Sequence, residues 1–265
     1  MGENKELYKD KKEVKNETQY SSEAENFWNK IEKGTALREC LNIPKELVEN
    51  KSGQNGWEHI ECEPELSENE GKYKNDDETR LCRCFHFRNV NNNSGCKREK
   101  CVIGYYEKNY ILNNCNVLDH EVRTEYRTSG IGRFDLILEY ENTNYAVEVK
   151  PQYKSESILR MILEILTYDF CNCYNKDNPD DYNHNKERAI IKNNKADDND
   201  KMKSGIYYEL GIAFFQESKQ YHQFAEHKKN QDVIIKILKK YKISVFIISK
   251  DEDENGYTIE KQDLC

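Results

Sequence analysis

Residues 132–152 read GRFDLILEYENTNYAVEVKPQ, and this stretch predicts a β-hairpin. Two runs rich in aromatic and β-branched residues, 134–140 and 145–150, are separated by the turn-rich residues 141–144. Such runs are typical of strands, and a connection of this length is typical of a hairpin. Because strand side chains alternate between two faces, one face of the hairpin carries three charged residues: Asp135, Glu148 and Lys150.

We expect the register of this hairpin to bring its two carboxylates together. If Tyr140 pairs with Tyr145 next to the turn, Asp135 lies opposite Lys150. Glu148 is then the diagonal neighbour of Asp135, with Cβ atoms roughly 7–8 Å apart. Two carboxylates at that separation can bind one hard cation, and Mg²⁺ or Mn²⁺ prefers such oxygen ligands.

The charged face has a second interpretation. An Asp, a Glu and a Lys on one face of a hairpin often form only cross-strand salt bridges, each contributing roughly 0–1 kcal/mol. Ile137 and Ala146 share this face, so the carboxylates are set into a partly buried surface where charge without a ligand is costly. Spacing alone leaves both the metal site and the salt bridges open.

The hairpin motif resembles the PD-(D/E)XK nuclease superfamily. GRFD at residues 132–135 is followed by EVK at residues 148–150, although Phe134 stands where the superfamily usually has Pro. The resemblance implies a restriction-endonuclease-like core in which Asp135 and Glu148 bind Mg²⁺, for which Mn²⁺ can substitute. It also implies that Lys150 helps to position and deprotonate the attacking water.

The neighbouring patterns predict an α/β fold. We expect a restriction-endonuclease-like sandwich, with a central mixed β-sheet flanked by helices and an N-terminal helical and loop-rich extension. Periodicity and caps indicate strands at residues 120–127, 205–215 and 243–250 and helices at residues 21–40, 97–112, 155–173 and 232–241, with Ser155 or Ser157 as the N-cap of the third helix. The predicted domains are an extension at residues 1–80 and a nuclease-like domain at residues 81–265, with a polar insertion at about residues 172–204.

The superfamily commonly places a third carboxylate on the first helix of the core. In the helix expected at residues 97–112, Glu99 lies on the apolar stripe and Glu107 lies at its margin, so Glu99 is the favoured third catalytic carboxylate. Either residue is equally well explained as ordinary helix surface. Glu121 and Glu125 are the alternatives if the helix is misplaced.

Residues beside the motif are candidates for nucleic-acid contact. Arg133 and Arg127 lie close enough in sequence to bind backbone phosphates, whose neutralisation dominates nucleic-acid affinity. Arginines beside carboxylates are also ordinary ion-pair partners. Gln152 follows the Lys of the motif and either contacts substrate or ends the strand.

Three functions are consistent with these observations. The favoured one is Mg²⁺-dependent hydrolysis of phosphodiester bonds, in DNA rather than RNA. The second is a catalytically silent nuclease-like fold that binds nucleic acid or a protein. The third is an unrelated α/β interaction protein whose hairpin charges are structural. Because duplex-cutting members of the superfamily often act as dimers, a homodimer is one expected state.

Whole-chain charge and hydropathy constrain the partners. The net charge of −8 and the pI near 5.5 argue against a generally nucleic-acid-binding surface, but a nuclease needs only a local basic groove. No apolar run approaches the roughly 20 residues of a membrane span, and no secretory segment follows Met1. We therefore expect a cytoplasmic protein with no membrane partner.

The ten cysteines predict reduced thiols rather than disulfides, because no export signal is evident. One cluster contains four cysteines and a histidine: Cys82, Cys84, His86, Cys96 and Cys101. These are enough ligands for a structural Zn²⁺ site. Their spacing is not the usual C-x2-C pair, and buried thiols without a metal are the favoured interpretation.

Overall fold

A computed structural model describes residues 17–43, 78, 81–82, 84–86, 111–123, 133–173, 189–191, 205–251 and 256–265. These residues form a mixed sheet with accompanying helices, which places the chain in the α/β class. The helices are α1 (Glu17–Glu32), α2 (Leu37–Cys40), α3 (Ile158–Cys173), α4 (Lys219–Asn230) and α5 (Val233–Tyr241). The strands are β1 (Asn116–Arg123), β2 (Arg133–Tyr140), β3 (Thr143–Lys150), β4 (Ala189–Ile191), β5 (Gly205–Tyr207), β6 (Glu209–Phe215), β7 (Ile243–Asp251) and β8 (Gly256–Gln262).

The main sheet has six strands in the order β1-β2-β3-β6-β7-β8. The first three strands are antiparallel, β3, β6 and β7 are mutually parallel, and β8 returns antiparallel to β7. The short strands β4 and β5 form a separate antiparallel pair. Strand β3 therefore joins the antiparallel half of the main sheet to its parallel half, which explains why six consecutive residues of β3 are buried.

The sheet has a hydrophobic core on each face. On the helix face, Ile137, Ala146 and Ile212 belong to one apolar cluster with residues of α1, α3 and α5. On the other face, called here the aromatic face, Val147 and Phe246 belong to a second cluster. Further members of the aromatic face are Leu81, Phe85, Leu136, Leu138, Tyr145 and Phe215. The alternation predicted for the hairpin thus divides its side chains between two cores.

The β2–β3 hairpin has a tighter turn than the sequence predicts. Tyr140 pairs with Thr143, so the connection has only two residues, Glu141 and Asn142, with φ of 50° and 62°. Positive φ at both central residues is typical of a type I′ turn, whose twist matches that of the flanking strands. The predicted four-residue connection and the Tyr140–Tyr145 pair are wrong, because residues 143 and 144 are already paired in the strand.

Local caps fix the ends of the helices around the sheet. Ser157 Oγ accepts a hydrogen bond from Arg160 N, as one of the two predicted caps of α3 requires. Ser218 caps α4 and Asp232 caps α5 by accepting backbone N–H groups of the first turn. Helix α4 and strand β8 are elements that the sequence patterns did not indicate. The helix expected at residues 97–112 lies mostly outside the described residues.

The N-terminal helices share the core of the helix face. Ala24, Phe27 and Ile31 of α1 are buried, and α1 contacts α5. The helix expected at residues 21–40 is interrupted after Glu32 and resumes as α2. The predicted domain boundary at residue 80 stays a prediction. Within the described segments, none of the helices combines the length and apolar character needed to cross a bilayer.

Candidate active site

Asp135 and Glu148 face one another just beyond the last backbone pair of the β2–β3 ladder. The β2–β3 ladder runs from the turn to the Leu136–Val147 pair, and the same register places Asp135 opposite Glu148. Beyond that pair, Asp135 Oδ2 accepts a hydrogen bond of 2.8 Å from Val149 N. The expected diagonal arrangement is therefore wrong, because the two-residue turn shifts the register. The correction makes the two carboxylates direct cross-strand neighbours.

Lys150 lies at the centre of a cluster of carboxylates. Its Nζ is 2.6 Å from Glu148 Oε1 and 2.9 Å from Glu78 Oε1. Carboxylate oxygens of Glu156 and Glu164 are each 3.1 Å away. The Lys150 side chain is only 2% exposed, and its partners Glu148 and Glu164 are buried with it. The Glu78 and Glu156 side chains are 23% and 26% exposed. The acidic cluster is defined here as Asp135, Glu148, Lys150, Glu78, Glu156, Glu164 and Arg160.

Helix α3 supplies the second cation of the acidic cluster. Glu164 is buried on α3, and Arg160, one turn earlier, donates to Glu164 Oε1 over 2.9 Å. Arg160 Nε is also 3.7 Å from Glu156. Five carboxylates thus face two cationic side chains among the residues of this cluster that the structure describes. Such an excess of buried negative charge requires bound protons or a bound cation.

Protons balance that charge in the metal-free protein. Burial, opposed in part by Lys150 and reinforced by Glu78, raises the pKa of Asp135 to about 8, although the residue keeps some solvent contact. Burial and the neighbouring Asp135 carboxylate raise the pKa of Glu148 well above its ordinary value. Burial also raises the pKa of Glu78, against the attraction of Lys150. At neutral pH the acidic cluster therefore binds protons.

Glu164 and Lys150 keep their charges. Burial acts to raise the pKa of Glu164, but Lys150, a hydrogen bond from Glu148 and Arg160 together lower it. Burial disfavours the Lys150 ammonium, yet Glu148, Glu164 and the other carboxylates outweigh it and raise its pKa well above the ordinary value. The Lys150 ammonium is thus charged in the metal-free protein and can donate hydrogen bonds.

The loop after β3 is held by the start of α4. Gln220 is fully buried, and its Nε2 donates to the carbonyl oxygens of Lys154 (3.0 Å) and Glu156 (2.7 Å). These bonds fix the backbone that carries the Glu156 side chain towards Lys150. Gln220 is therefore a positioning residue for the acidic cluster.

Of the three residues predicted to contact nucleic acid, the structure describes two. Arg133 is partly exposed at the start of β2 and pairs across the ladder with Arg123. Gln152 is exposed just after β3 and donates to Glu217 Oε2 over 2.9 Å. Arg127 lies outside the described residues. All three contacts stay predictions.

The structure adds three carboxylates that sequence reasoning missed. Glu99, Glu107 and Glu125 lie outside the described residues, and Glu121 lies within β1. Glu78, by contrast, has a helical conformation and precedes in sequence the helix expected at residues 97–112. Its carboxylate contacts Lys150. Glu164 had a detectable signal, because it interrupts the apolar sequence ILRMILEILTY of α3. Glu156 had no signal in the sequence, since its approach to Lys150 depends on the fold of the loop.

The predicted cysteine cluster is only partly described. Cys82 is buried and Cys84 is partly buried. Cys96 and Cys101 lie outside the described residues. Among the described residues, His86 groups with Asp119 and His120 as possible metal ligands, and not with cysteines. A zinc site formed by the five predicted residues stays a prediction.

Comparisons with known proteins provide little further information. No protein family model and no curated protein matches the chain. The structure of Pyrococcus furiosus SfsA in complex with Ca²⁺ is similar over 57% of this chain and 54% of that chain, at 15% sequence identity and a TM-score of 0.23. The chain thus matches about half the length of SfsA. A similarity at this TM-score carries no argument about fold or activity.

Proposed function

We propose that this chain is a metal-dependent nuclease with a restriction-endonuclease-like core. The order of elements supports the proposal: three antiparallel strands lead into α3, and β6 and β7 then extend the sheet in parallel with β3. The candidate catalytic residues are Asp135, Glu148 and Lys150, on the two strands of the hairpin.

One observation carries the proposal. Asp135 and Glu148 are opposed on neighbouring strands, and burial raises the pKa of both carboxyl groups beside an ammonium that stays charged. Purely structural salt bridges would instead lower carboxylate pKa values. Perturbed carboxylates paired in this way are characteristic of functional sites. The arrangement therefore favours a site that exchanges protons for a cation.

The residues present fit a divalent cation such as Mg²⁺ or Mn²⁺. Both candidate ligands are carboxylates, which these hard ions prefer. Glu148 Oε2 is buried and accepts no hydrogen bond from any N–H or O–H group that the structure describes. When bound, the cation supplies a water of lowered pKa and polarises the scissile phosphate. Asp135 and Glu148 are the proposed ligands.

Lys150 has an electrostatic role in this proposal. Because its ammonium stays protonated, it donates hydrogen bonds and offsets negative charge that develops on the phosphate. It does not remove a proton from water, which differs from the expectation that Lys150 helps to deprotonate the nucleophile. Glu164 and Glu156 hold the ammonium in place, and Arg160 balances their charge.

DNA is the proposed substrate, in preference to RNA. Arg133, at the start of β2, and Gln152, just after β3, lie at the same end of the hairpin as Asp135 and Lys150, where each can contact the phosphodiester backbone. Tyr153, next to Gln152, is 58% exposed and offers an aromatic face to an unpaired base. These residues give the site its local affinity for nucleic acid despite the acidic chain.

The test is cleavage of plasmid, linear duplex DNA, single-stranded DNA and RNA with Mg²⁺, Mn²⁺ or EDTA. Wild type is compared with Asp135→Asn, Glu148→Gln and Lys150→Ala, and with Glu226→Gln as a matched control on the exposed side of α4. We expect cation-dependent cutting of DNA that each of the first three changes reduces at least about 100-fold.

The Glu226→Gln control and the Asp135→Asn variant distinguish loss of the site from loss of folding. Glu226→Gln should cut like wild type because the Glu226 side chain is exposed and is not part of the acidic cluster. Asp135→Asn keeps the shape of a protonated carboxyl group, so folding should persist while cation binding is lost. Cutting that persists in a folded Asp135→Asn protein would overturn the proposed site.

The burial of Lys150 favours a second candidate function. With a side chain 2% exposed and four carboxylate neighbours, its ammonium is fully engaged within the protein. A catalytically silent fold that binds nucleic acid or a protein needs no exposed lysine. This alternative predicts Mn²⁺ binding that depends on Asp135, without cleavage of any nucleic acid in the panel.

A further inference from the structure

A second polar cluster lies between strand β1 and the helical residues 84–86. His86, Asp119 and His120 are buried, with 6%, 3% and 6% of their surfaces exposed. One ligand atom from each lies within 4.8 Å of those of the other two. This group is called the histidine cluster. Its two imidazoles and one carboxylate form a ligand set that binds transition metals.

An irregularity in β1 creates the cluster. The β1–β2 register shifts between Val117 and Asp119, so Leu118 is an extra residue in the strand. Such a bulge redirects the side chains that follow it. Asp119 Oδ1 then accepts a 2.7 Å hydrogen bond from His120 N and lies 3.6 Å from His120 Nδ1. Two adjacent strand residues thereby direct ligand atoms to the same place.

The helical segment brings the third ligand. Phe85 is fully buried and stacks with Phe215 of β6 at a centroid distance of 6.5 Å, which fixes the neighbouring His86 against β1. The rings of His86 and His120 are 4.8 Å apart, centroid to centroid. Two imidazolium groups this close would repel each other, whereas two neutral imidazoles and a carboxylate can ligate a single dication.

We propose that His86, Asp119 and His120 bind one Zn²⁺ ion, with water at the fourth tetrahedral position. Ligands at about 2.0–2.1 Å from a tetrahedral ion are about 3.3 Å apart. Closing the present separation therefore needs only about 1.5 Å of side-chain movement at most, which rotation about the χ angles provides. Imidazole ligands select Zn²⁺ here, while the oxygen ligands of the acidic cluster select Mg²⁺ or Mn²⁺.

A bound Zn²⁺ ion would also hold the segment around His86 against β1. Glu78 lies eight residues before His86 in the same stretch of sequence, and Glu78 contacts Lys150 at 2.9 Å. A Zn²⁺ ion bound to His86 would fix this stretch to β1 at one end while Glu78 meets the acidic cluster at the other.

The test uses the full chain, first as purified and then stripped with a chelator and titrated with Zn²⁺ or Co²⁺. To remove binding at the acidic cluster, the titration is repeated with Asp135→Asn. We expect about one Zn²⁺ per chain, with affinity at least about tenfold lower in His86→Gln and in Asp119→Asn. His222→Gln is the matched control, because His222 is exposed on α4.

The absorption spectrum of bound Co²⁺ identifies the ligands even if one variant fails to fold. Wild type should show the strong visible bands of a four-coordinate ion without thiolate charge-transfer absorption. Strong thiolate absorption would overturn the proposed ligand set in favour of the cysteines. Binding that is equally strong in folded His86→Gln and His222→Gln, or no binding to wild type, would also overturn it.

Discussion

The two faces of the main sheet are built from the same strands but bury different chemistry. On the aromatic face, Tyr140 and Tyr145 pack edge-on against Phe246, with centroid distances of 5.6 and 5.0 Å. The helix face combines an equally apolar cluster with the buried charges of Glu148, Lys150 and Glu164. Strands β3 and β7 thus pack well without charge on one side. The buried charges on the other side are those to which the proposed function assigns cation binding.

The same comparison distinguishes two kinds of residue. Side chains of the aromatic face should affect stability and leave cation binding unchanged. Side chains of the acidic cluster should affect both, in a way that depends on pH.

Phe246→Ala should have the largest effect on stability. Phe246 is fully buried and lies over Gly211, which has no side chain to fill the space left behind. We expect the free energy of unfolding to fall by about 4–5 kcal/mol, measured by urea denaturation. Mn²⁺ affinity of the folded fraction should match wild type. A large loss of affinity would show that the two faces are coupled.

Lys150→Ala should be the most damaging change on the helix face. It leaves Glu148 and Glu164 without their buried cation, and we expect a loss of about 3–4 kcal/mol at pH 8. Lowering the pH to 6 should reduce this loss of stability because the carboxyl groups can then bind protons. Lys236→Ala, at an exposed position of α5, is the control. A deficit that does not change with pH would argue against charge as its cause.

The affinity for Mn²⁺ should depend on pH. Since the pKa of Asp135 is about 8, a cation must displace a proton below that value. The affinity should rise at least about tenfold per pH unit from pH 6 to pH 8 and less steeply above, once Asp135 is ionised, because each displaced proton contributes ~1.4 kcal/mol per unit. Electron paramagnetic resonance of free Mn²⁺ measures it. A flat profile would contradict the assignment of Asp135 as a ligand.

Asp135→Asn should stabilise the metal-free protein at alkaline pH. A folded pKa of about 8 against an ordinary value of 3.8 means that wild-type stability is lost as pH rises through this interval. Asn does not titrate, so its advantage should grow from pH 4 to about pH 8 and then stay constant. We expect about 1–2 kcal/mol, because partial solvent contact screens the charge. Thermal unfolding at pH 5 and pH 9 tests this, and a variant less stable at pH 9 would refute it.

Glu141→Asn should have the smallest effect. Glu141 has φ of 50° in the hairpin turn, a conformation that Asn tolerates better than Glu. We expect a gain of about 0.5–1 kcal/mol in the free energy of unfolding with no change in Mn²⁺ affinity. A loss of stability would indicate that the turn differs from type I′ and would weaken the register that pairs Asp135 with Glu148.

The sequence was informative where the chemistry is local. Asp135, Glu148 and Lys150 were placed on one face because a strand has a period of two, and α3 and α5 were found because their apolar spacing is helical. The hairpin register depended on whether Thr143 belongs to the turn or to the strand, which composition does not decide. Glu78 reaches Lys150 through a contact across more than seventy residues, and such contacts depend on packing rather than on local pattern.

The raised pKa values of Asp135 and Glu148 beside Lys150 have a consequence for measuring cation binding. Each Mn²⁺ that enters between Asp135 and Glu148 would release protons that the surrounding buffer takes up. The heat recorded by titration calorimetry therefore includes the ionisation heat of the buffer and should differ between phosphate and Tris at the same pH. The slope of that heat against the buffer's ionisation enthalpy counts the protons that the cation replaces.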